Sequence, residues 1–203
     1  MIKINPNKIS KKENYKLLSA SVVPRPIAFV TTLNSDNSVN GAPFSFFNML
    51  SAEPPLISIS VLRKDDGKIK DTARNIIKNK VFVVHITTLK NIEKINMTAA
   101  LLDENVSEVD LVNLTKVKSD LIKTPGVLEA DIRFEVKLTK HLELGTNDKV
   151  STDLFIGEVI KYHLSPDVYQ NTHINYENLK PLGRLAGNNF MTTKGFKEIT
   201  RPK

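Results

Sequence analysis

The feature that most constrains the fold is a two-residue alternation beginning at Ile132. Ile132, Phe134, Val136, Leu138, Leu142 and Leu144 interleave with Arg133, Glu135, Lys137, Thr139, His141 and Glu143. Successive side chains of a strand point to opposite faces, so this period belongs to β structure. Gly145-Thr146-Asn147-Asp148 supplies turn chemistry, and 154–164 reads as the return strand. A hairpin of this length presents a wide apolar face and long edges, both of which need cover.

The rest of the chain supplies partners. Residues 27–33 are β-rich, 35–38 form a turn, and 39–50 are a second apolar segment, together an antiparallel hairpin. Within it the period of two puts Phe44 and Phe46 on one face, Ser45 and Phe47 on the other. Pro54-Pro55 interrupts, 56–62 alternates as a half-buried strand, and 80–87 is a nearly continuous apolar run expected of a buried strand. Residues 13–20 predict a short helix that ends before Val23-Pro24. Asp71-Thr72 reads as the cap of a helix starting at Ala73, and 91–102 and 107–114 are helical in pattern. Residues 1–12 form a basic arm, and 13–203 a single domain without repeat or linker. Six or more antiparallel strands with few, short helices predict a mainly β fold, a barrel with peripheral helices, rather than a doubly wound sheet. The helices between Lys70 and Leu114 then cover its ends or flank.

Composition removes whole classes of chemistry. The chain has 203 residues and no cysteine, which excludes disulfides, thiolate metal sites and cysteine nucleophiles. No apolar run reaches the roughly 18 residues of a membrane span, and residues 1–16 lack a secretory apolar region, so the cytoplasm is expected. The net charge of +7 comes from lysines scattered singly, not from a clustered nucleic-acid footprint. His85, His141, His163 and His173 show no metal spacing, and no metal is expected. His85, inside an apolar strand, reads as a hydrogen-bonded core residue. Hydrolase, NTPase and dinucleotide fingerprints are missing.

Three segments carry more chemistry than packing requires. Pro24-Arg25-Pro26 stiffens a loop around one arginine. Ala42-Pro43-Phe44-Ser45-Phe46-Phe47-Asn48 sets aromatics beside hydrogen-bonding groups, which suits either a core strand or a flat aromatic ligand. Lys70-Asp71-Thr72 at a helix start suits either a plain cap or an anion, where the helix dipole and the lysine would act together. Arg184, between Gly183 and Gly187, is a fourth candidate.

Taken in order, PRPIAFVTT at 24–32, NGAPFSFFN at 40–48, PPLISISV at 54–61, DDGKIKDTARNI ending at 76, FVVHI at 82–86 and PLGRLAGNNF at 181–190 resemble the flavin reductase-like family of FMN-binding split barrels. The resemblance runs from about residue 15 to 190. It implies a six-stranded antiparallel split β-barrel, a homodimer with FMN near its interface, and transfer of hydride or electrons between NADH or NADPH and FMN. A flavoredoxin-type electron carrier that never meets nicotinamide is the alternative, and a basic nucleic-acid-binding barrel a remote one. Carried over, the resemblance places Arg25, Pro26 and Ile27 along the flavin. It places Ala42, Ser45, Phe46 and Asn48 near its ring, ribityl chain or phosphate, and Lys70, Asp71 and Thr72 at the phosphate. Arg184 and Phe190 close the site, and Arg63 stands near the phosphate. No acid–base residue is implied, because hydride passes directly between rings; Arg25 or Arg184 stabilises charge near flavin N1. A redox partner protein is compatible with this reading; membrane and nucleic acid are not expected. Two departures stand out: His85 where the family often has Asn, and Phe190 where it often has Tyr.

Overall fold

Phe44 and Phe47 belong to opposite edges of one sheet, although only Ser45 and Phe46 separate them. In the computed structural model, which describes residues 1–100, 106–146, 148–193, 195, 197 and 199–200, the main sheet has seven strands. They are β1 (Ala28–Leu33), β2 (Val39–Phe44), β3 (Phe47–Ala52), β4 (Pro55–Leu62), β5 (Val81–Ile86), β6 (Ile132–Thr146) and β7 (Lys149–Leu164). Their order is β2-β1-β5-β6-β7-β4-β3, antiparallel throughout. Laid flat, the outer strands would stand roughly 29 Å apart, six spacings of about 4.8 Å. Two intervening residues span about 11 Å at most. The sheet therefore curls until its edges face each other, without closing. Phe44 pairs with Ala28 of β1, and the Phe46 carbonyl already accepts the Ser60 N–H of β4 at 2.8 Å. The switch between edges is made at one residue, Ser45.

This seam corrects two expectations. The segment 39–50 is two strands, not one, which makes the sheet seven-stranded where six were expected. The simple alternation of its aromatics also fails: Phe44 and Phe47 pack on the barrel core, while Phe46 lies against Tyr15 and Arg25.

The barrel interior is filled by Val30, Phe44, Ile59, Phe82, Val136, Phe155 and their neighbours. A full Phe or Ile side chain buried here contributes about 1.5–3 kcal/mol. Beside helix α1 (Lys11–Ser21), the fold has α2 (Asp71–Asn79), whose Ala73 and Ile76 plug the core. Helices α3 (Ile92–Met97) and α4 (Glu108–Leu111) cover the outer side of β1, where Phe29 meets Ile95 and Val109. The α4 segment also covers the free edge of β2: Ser107 donates to the Val39 carbonyl at 2.7 Å, and Glu108 accepts the Gly41 N–H at 3.0 Å. A short α5 (Tyr176–Leu179) precedes the tail.

Helix limits differ in instructive ways. Helix α1 starts at Lys11 because Ser10 and Glu13 form a reciprocal capping box, a signal its Ser-x-x-Glu spacing carried. Helix α2 is capped by Lys70 without a side-chain bond, so Asp71 and Thr72 are its first two residues rather than its cap. Helix α3 ends at Met97, and the last part of the expected 91–102 helix, Leu101 and Leu102, lies outside the described residues, as does Asn147 of the expected turn.

The β6–β7 hairpin forms, but its alternation resets. Gly157 pairs with Leu138 and Ile156 with Lys140, leaving Thr139 as an extra residue. This bulge flips every later side chain. His141 then stacks on buried Phe155 at 4.9 Å, while Leu142 and Leu144 are 45% and 43% exposed instead of facing the core.

His85 is fully buried on β5. Its Nδ1–H donates to the Phe29 carbonyl at 3.0 Å and its Nε2 accepts the Val127 N–H at 2.9 Å, so it is neutral and fully bonded, as the sequence reading expected. Burial pushes its pKa from 6.5 down to about 3. The unfolded chain therefore binds a proton below pH 6.5 that the folded chain refuses, and stability falls with pH across that window. In urea unfolding between pH 6.5 and 5, His85→Leu should show a shallower pH slope than wild type, by about 0.7 kcal/mol per pH unit at pH 6.5 and rising toward about 1.4 near pH 5. Equal slopes would refute this assignment.

Candidate functional site

Strand β2 and the seam residue after it form the floor of a groove. At one end the groove is lined by Asn40, Ala42, Lys64, Lys70, Thr72 and Glu108, in a depression of about 140 Å³. It continues past Pro43, Phe44 and Ala99 into a second depression of about 190 Å³, bounded by Ile27, Ser45, Arg184 and Phe190. Each is smaller than an ordinary ligand pocket, but they share three residues and read as one groove. Ser45 also borders a third cavity of about 510 Å³, walled by Arg25, Pro26, Phe46 and Asn48.

The expected site residues thus gather around the seam. Ala42, Lys70, Asp71 and Thr72 take one end, Ile27, Ser45, Arg184 and Phe190 the middle, and Arg25, Pro26, Phe46 and Asn48 the far side. Arg63 stands apart. Its guanidinium holds Asp153 at 2.9 Å and Glu143 at 2.5 Å, and it lines none of the three depressions. The Thr139 bulge made this possible by turning Glu143 toward it. Burial works to raise the Asp153 carboxyl, but hydrogen bonds from Arg63 and His141 outweigh it and hold the pKa below the ordinary value. The cluster ties β4, β6 and β7 together.

The two arginines expected near flavin N1 are both engaged. Arg25, only 8% exposed, donates from Nη1 to the Ser19 and Val22 carbonyls at 2.6 and 2.5 Å, and from Nη2 to the Leu185 carbonyl at 3.1 Å. It locks the end of α1 to the tail, and its buried Nε keeps no partner. Backbone pairing of Arg25 with Arg184 brings the PRP loop and the tail side by side. Arg184 donates to the Gly187 carbonyl at 2.5 Å and lies 4.5 Å over the Phe190 ring. Phe190 thus holds the tail arginine through its ring face, a role that needs no hydroxyl.

The end of the groove at Lys64 and Lys70 is cationic. The Lys64 and Lys70 ammonium groups have no hydrogen bond or ion pair among the described residues, whereas Lys68, Lys90, Lys116 and Lys161 each reach a carboxylate. Burial, then repulsion from Lys64, pushes the Lys70 pKa down. The first turn of α2 adds backbone N–H groups without a side-chain cap. Asp71 is neutralised by Arg74 at 2.6 Å. Burial pushes the Glu108 carboxyl up, while the Gly41 N–H works against this. Two half-buried cations that make no ion pair among the described residues, beside a helix N-terminus, suit a phosphate.

The sequence reading gave no role to Lys64, to Glu108 or to Asn40, the first residue of the 40–48 segment, all of which line the groove. Lys64 sits in a loop that closes on itself, Lys64 N–H to the Lys68 carbonyl at 2.9 Å, which sets it beside Lys70; its only sequence signal was the Asp-Gly turn that follows. Among the described residues, the one group of three metal-capable side chains is Asp120, Glu135 and His163, within 4.8 Å. None of them lines the groove, and Glu135 is already engaged by the Asp120 and Leu121 N–H groups and by His163. No helix among the described residues is long and apolar enough to cross a membrane.

Comparison with known proteins gives the family of this fold. A family model described as flavin reductase like domain matches residues 20–181. The Bacillus subtilis protein YwrF is 48% identical over 187 residues, 91% of each chain. The structure of nitrilotriacetate monooxygenase component B from Bacillus cereus superposes with a TM-score of 0.95 at 46% identity, covering 98% of both chains. That of the Pseudomonas fluorescens 2-nitrobenzoate 2-nitroreductase NbaA gives 0.89 at 29% identity, covering 99% of this chain and 96% of its own.

Inorganic phosphate or pyrophosphate should raise the thermal midpoint of the wild type by mass action, and raise it much less in Lys64→Ala/Lys70→Ala. An equal rise in both proteins would place the anion elsewhere.

Proposed function

Because the chain belongs to the flavin reductase like domain family, we propose that it binds FMN and transfers reducing equivalents between NADH or NADPH and that flavin. The observation that carries this reading is the Lys64–Lys70 pair beside the start of α2, whose ammonium groups make no ion pair among the described residues, at one end of the groove. The donor set fits a phosphate dianion: two ammonium groups, free N–H groups of a helix first turn, and a hydroxyl on Thr72. From that anchor the groove leads along Ala42, Pro43 and Phe44 to Ser45, Arg184 and Phe190, which are proposed to hold the flavin's ring end.

When bound, FMN supplies a ring that accepts hydride at N5. The protein's part is to orient and to exclude water. Pro43 and Phe44 supply an apolar wall. Arg25 keeps the PRP loop, α1 and the tail in one arrangement around the seam. Arg184, held over Phe190, is the cation nearest the proposed ring position and is assigned to balance charge there. No side chain in the groove is asked to exchange a proton. The similarity to a protein described as component B of a monooxygenase supports a redox partner protein that consumes the reducing equivalents.

A homodimer is proposed on separate grounds. Leu142 and Leu144 project outward from the β6–β7 hairpin, and Met49 and Leu50 are exposed on edge strand β3. Apolar area of this kind is ordinarily covered by a partner.

Flavin fluorescence titration of the flavin-stripped protein tests the cofactor. FMN should bind at least tenfold more tightly than riboflavin, and Lys70→Ala should remove most of that difference, since a charge-assisted contact contributes about 1.5–3 kcal/mol. FMN and riboflavin binding alike would refute the phosphate placement. Steady-state oxidation of NADH and NADPH with added FMN tests the reaction: turnover with either supports the reductase, and none with both leaves the electron-carrier reading. Leu142→Glu/Leu144→Glu should dissociate the dimer in sedimentation; an unchanged sedimentation coefficient would refute the assigned face.

A further inference from the structure

We infer that Asn40 is a positioning residue for the anionic end of the flavin, acting through Thr72. The inference rests on the phosphate placement proposed above and gives a role to the first residue of the 40–48 segment, to which the sequence reading assigned none. Asn40 on β2 and Thr72 on α2 come from different layers of the fold and meet at the groove, 3% and 2% exposed.

The Asn40 amide nitrogen donates to two hydroxyls, Thr72 Oγ1 at 2.9 Å and Thr32 Oγ1 at 3.2 Å. An amide nitrogen carries two protons, so both are committed. Thr32 Oγ1 also accepts from Asn75 Nδ2 at 3.0 Å, and Asn75 reaches Asn34 Oδ1 at 2.7 Å. Asn34 in turn donates to Ser38 at 3.0 Å. A buried chain of amides and hydroxyls therefore runs from the β1–β2 turn to the mouth of the groove and ends on Thr72.

The direction of the last bond decides what Thr72 can do. Its oxygen is filled from the Asn40 side by a donor, so its own proton cannot point there. No acceptor for that proton exists among the described residues. Thr72 thus faces the groove as a hydrogen-bond donor beside Lys70. A phosphate needs a donor at this point, and a freely rotating hydroxyl would present one only part of the time. Asn40 removes that freedom before the ligand arrives. Because the contact is to phosphate, its loss should be felt by FMN and not by riboflavin, which ends in a hydroxyl.

A merely structural Asn40 would behave differently. It would loosen the packing of α2 on β2, weaken both flavins alike and add to any loss at Thr72. A double-mutant cycle on FMN affinity separates the two. The variants are Asn40→Ala, Thr72→Val and their combination, each titrated with FMN and with riboflavin. Each single change should weaken FMN roughly tenfold and riboflavin less than about twofold, and the double variant should be no weaker than the weaker single. Thr72→Ser, which keeps the hydroxyl, should restore FMN binding to within about threefold of wild type. Where Asn40→Ala fails to fold by circular dichroism, Asn40→Leu, which keeps the volume without the donor, takes its place with the same expectation. Additive losses near a hundredfold, or equal losses on both ligands, overturn the inference while a wild type that prefers FMN leaves the phosphate placement standing. A wild type that binds FMN no tighter than riboflavin overturns the placement and, with it, the inference.

Discussion

Everything in this molecule depends on one short reach: the chain must pass from one edge of a seven-stranded sheet to the other through Ser45. That constraint bends the sheet and places two unlike strand edges face to face. It also leaves a gap between them that no ladder fills. A fully closed barrel would use those edges up in hydrogen bonds. Here the β2 edge is covered by the α4 side chains and the β3 edge is left with exposed Met49 and Leu50. The groove follows the first edge and the exposed apolar residues lie along the second, so both are consequences of one incomplete closure.

Much of this was legible in the sequence, because strand periodicity and turn chemistry are local. The β6–β7 hairpin, the doubly buried β5 and the bonded state of His85 all follow from short-range pattern. What was not legible depends on a single extra or missing residue. Thr139 looks like one more polar position in a regular alternation, yet as a bulge it sends Leu142 and Leu144 out and brings Glu143 to Arg63. Ser45 looks like the middle of a strand, yet it is the seam. Nothing local in either segment records where the partner strand's register shifts, since that is set by the strand across from it.

The site shows the same division. The PRP loop, the aromatic segment, Lys70-Asp71-Thr72 and the tail arginine each stand around the groove, because a short motif that meets a ligand has to carry its chemistry in its own residues. Arg63 stands apart from the groove, and its basic type says nothing of which carboxylates the fold brings near. Lys64 was missed for the converse reason. The overall charge of +7 was equally uninformative. What distinguishes Lys64 and Lys70 from Lys90 or Lys161 is not charge but that neither forms an ion pair among the described residues, and surface pairs of the latter kind add little to stability.

Arg25 has a consequence for the two ends of the chain. One guanidinium holds the carbonyls of Ser19 and Val22 at the end of the first helix and of Leu185 in the tail. The end of the first helix and the tail are thereby joined through this side chain, beside the backbone pairing of Arg25 with Arg184, and the same side chain borders a cavity at the seam. A tag, fusion or trimming that pulls on either end transmits its load through Arg25 to the other. The segments before Ser19 and after Leu185 are therefore poor handles for immobilisation, because strain applied there passes through this joint.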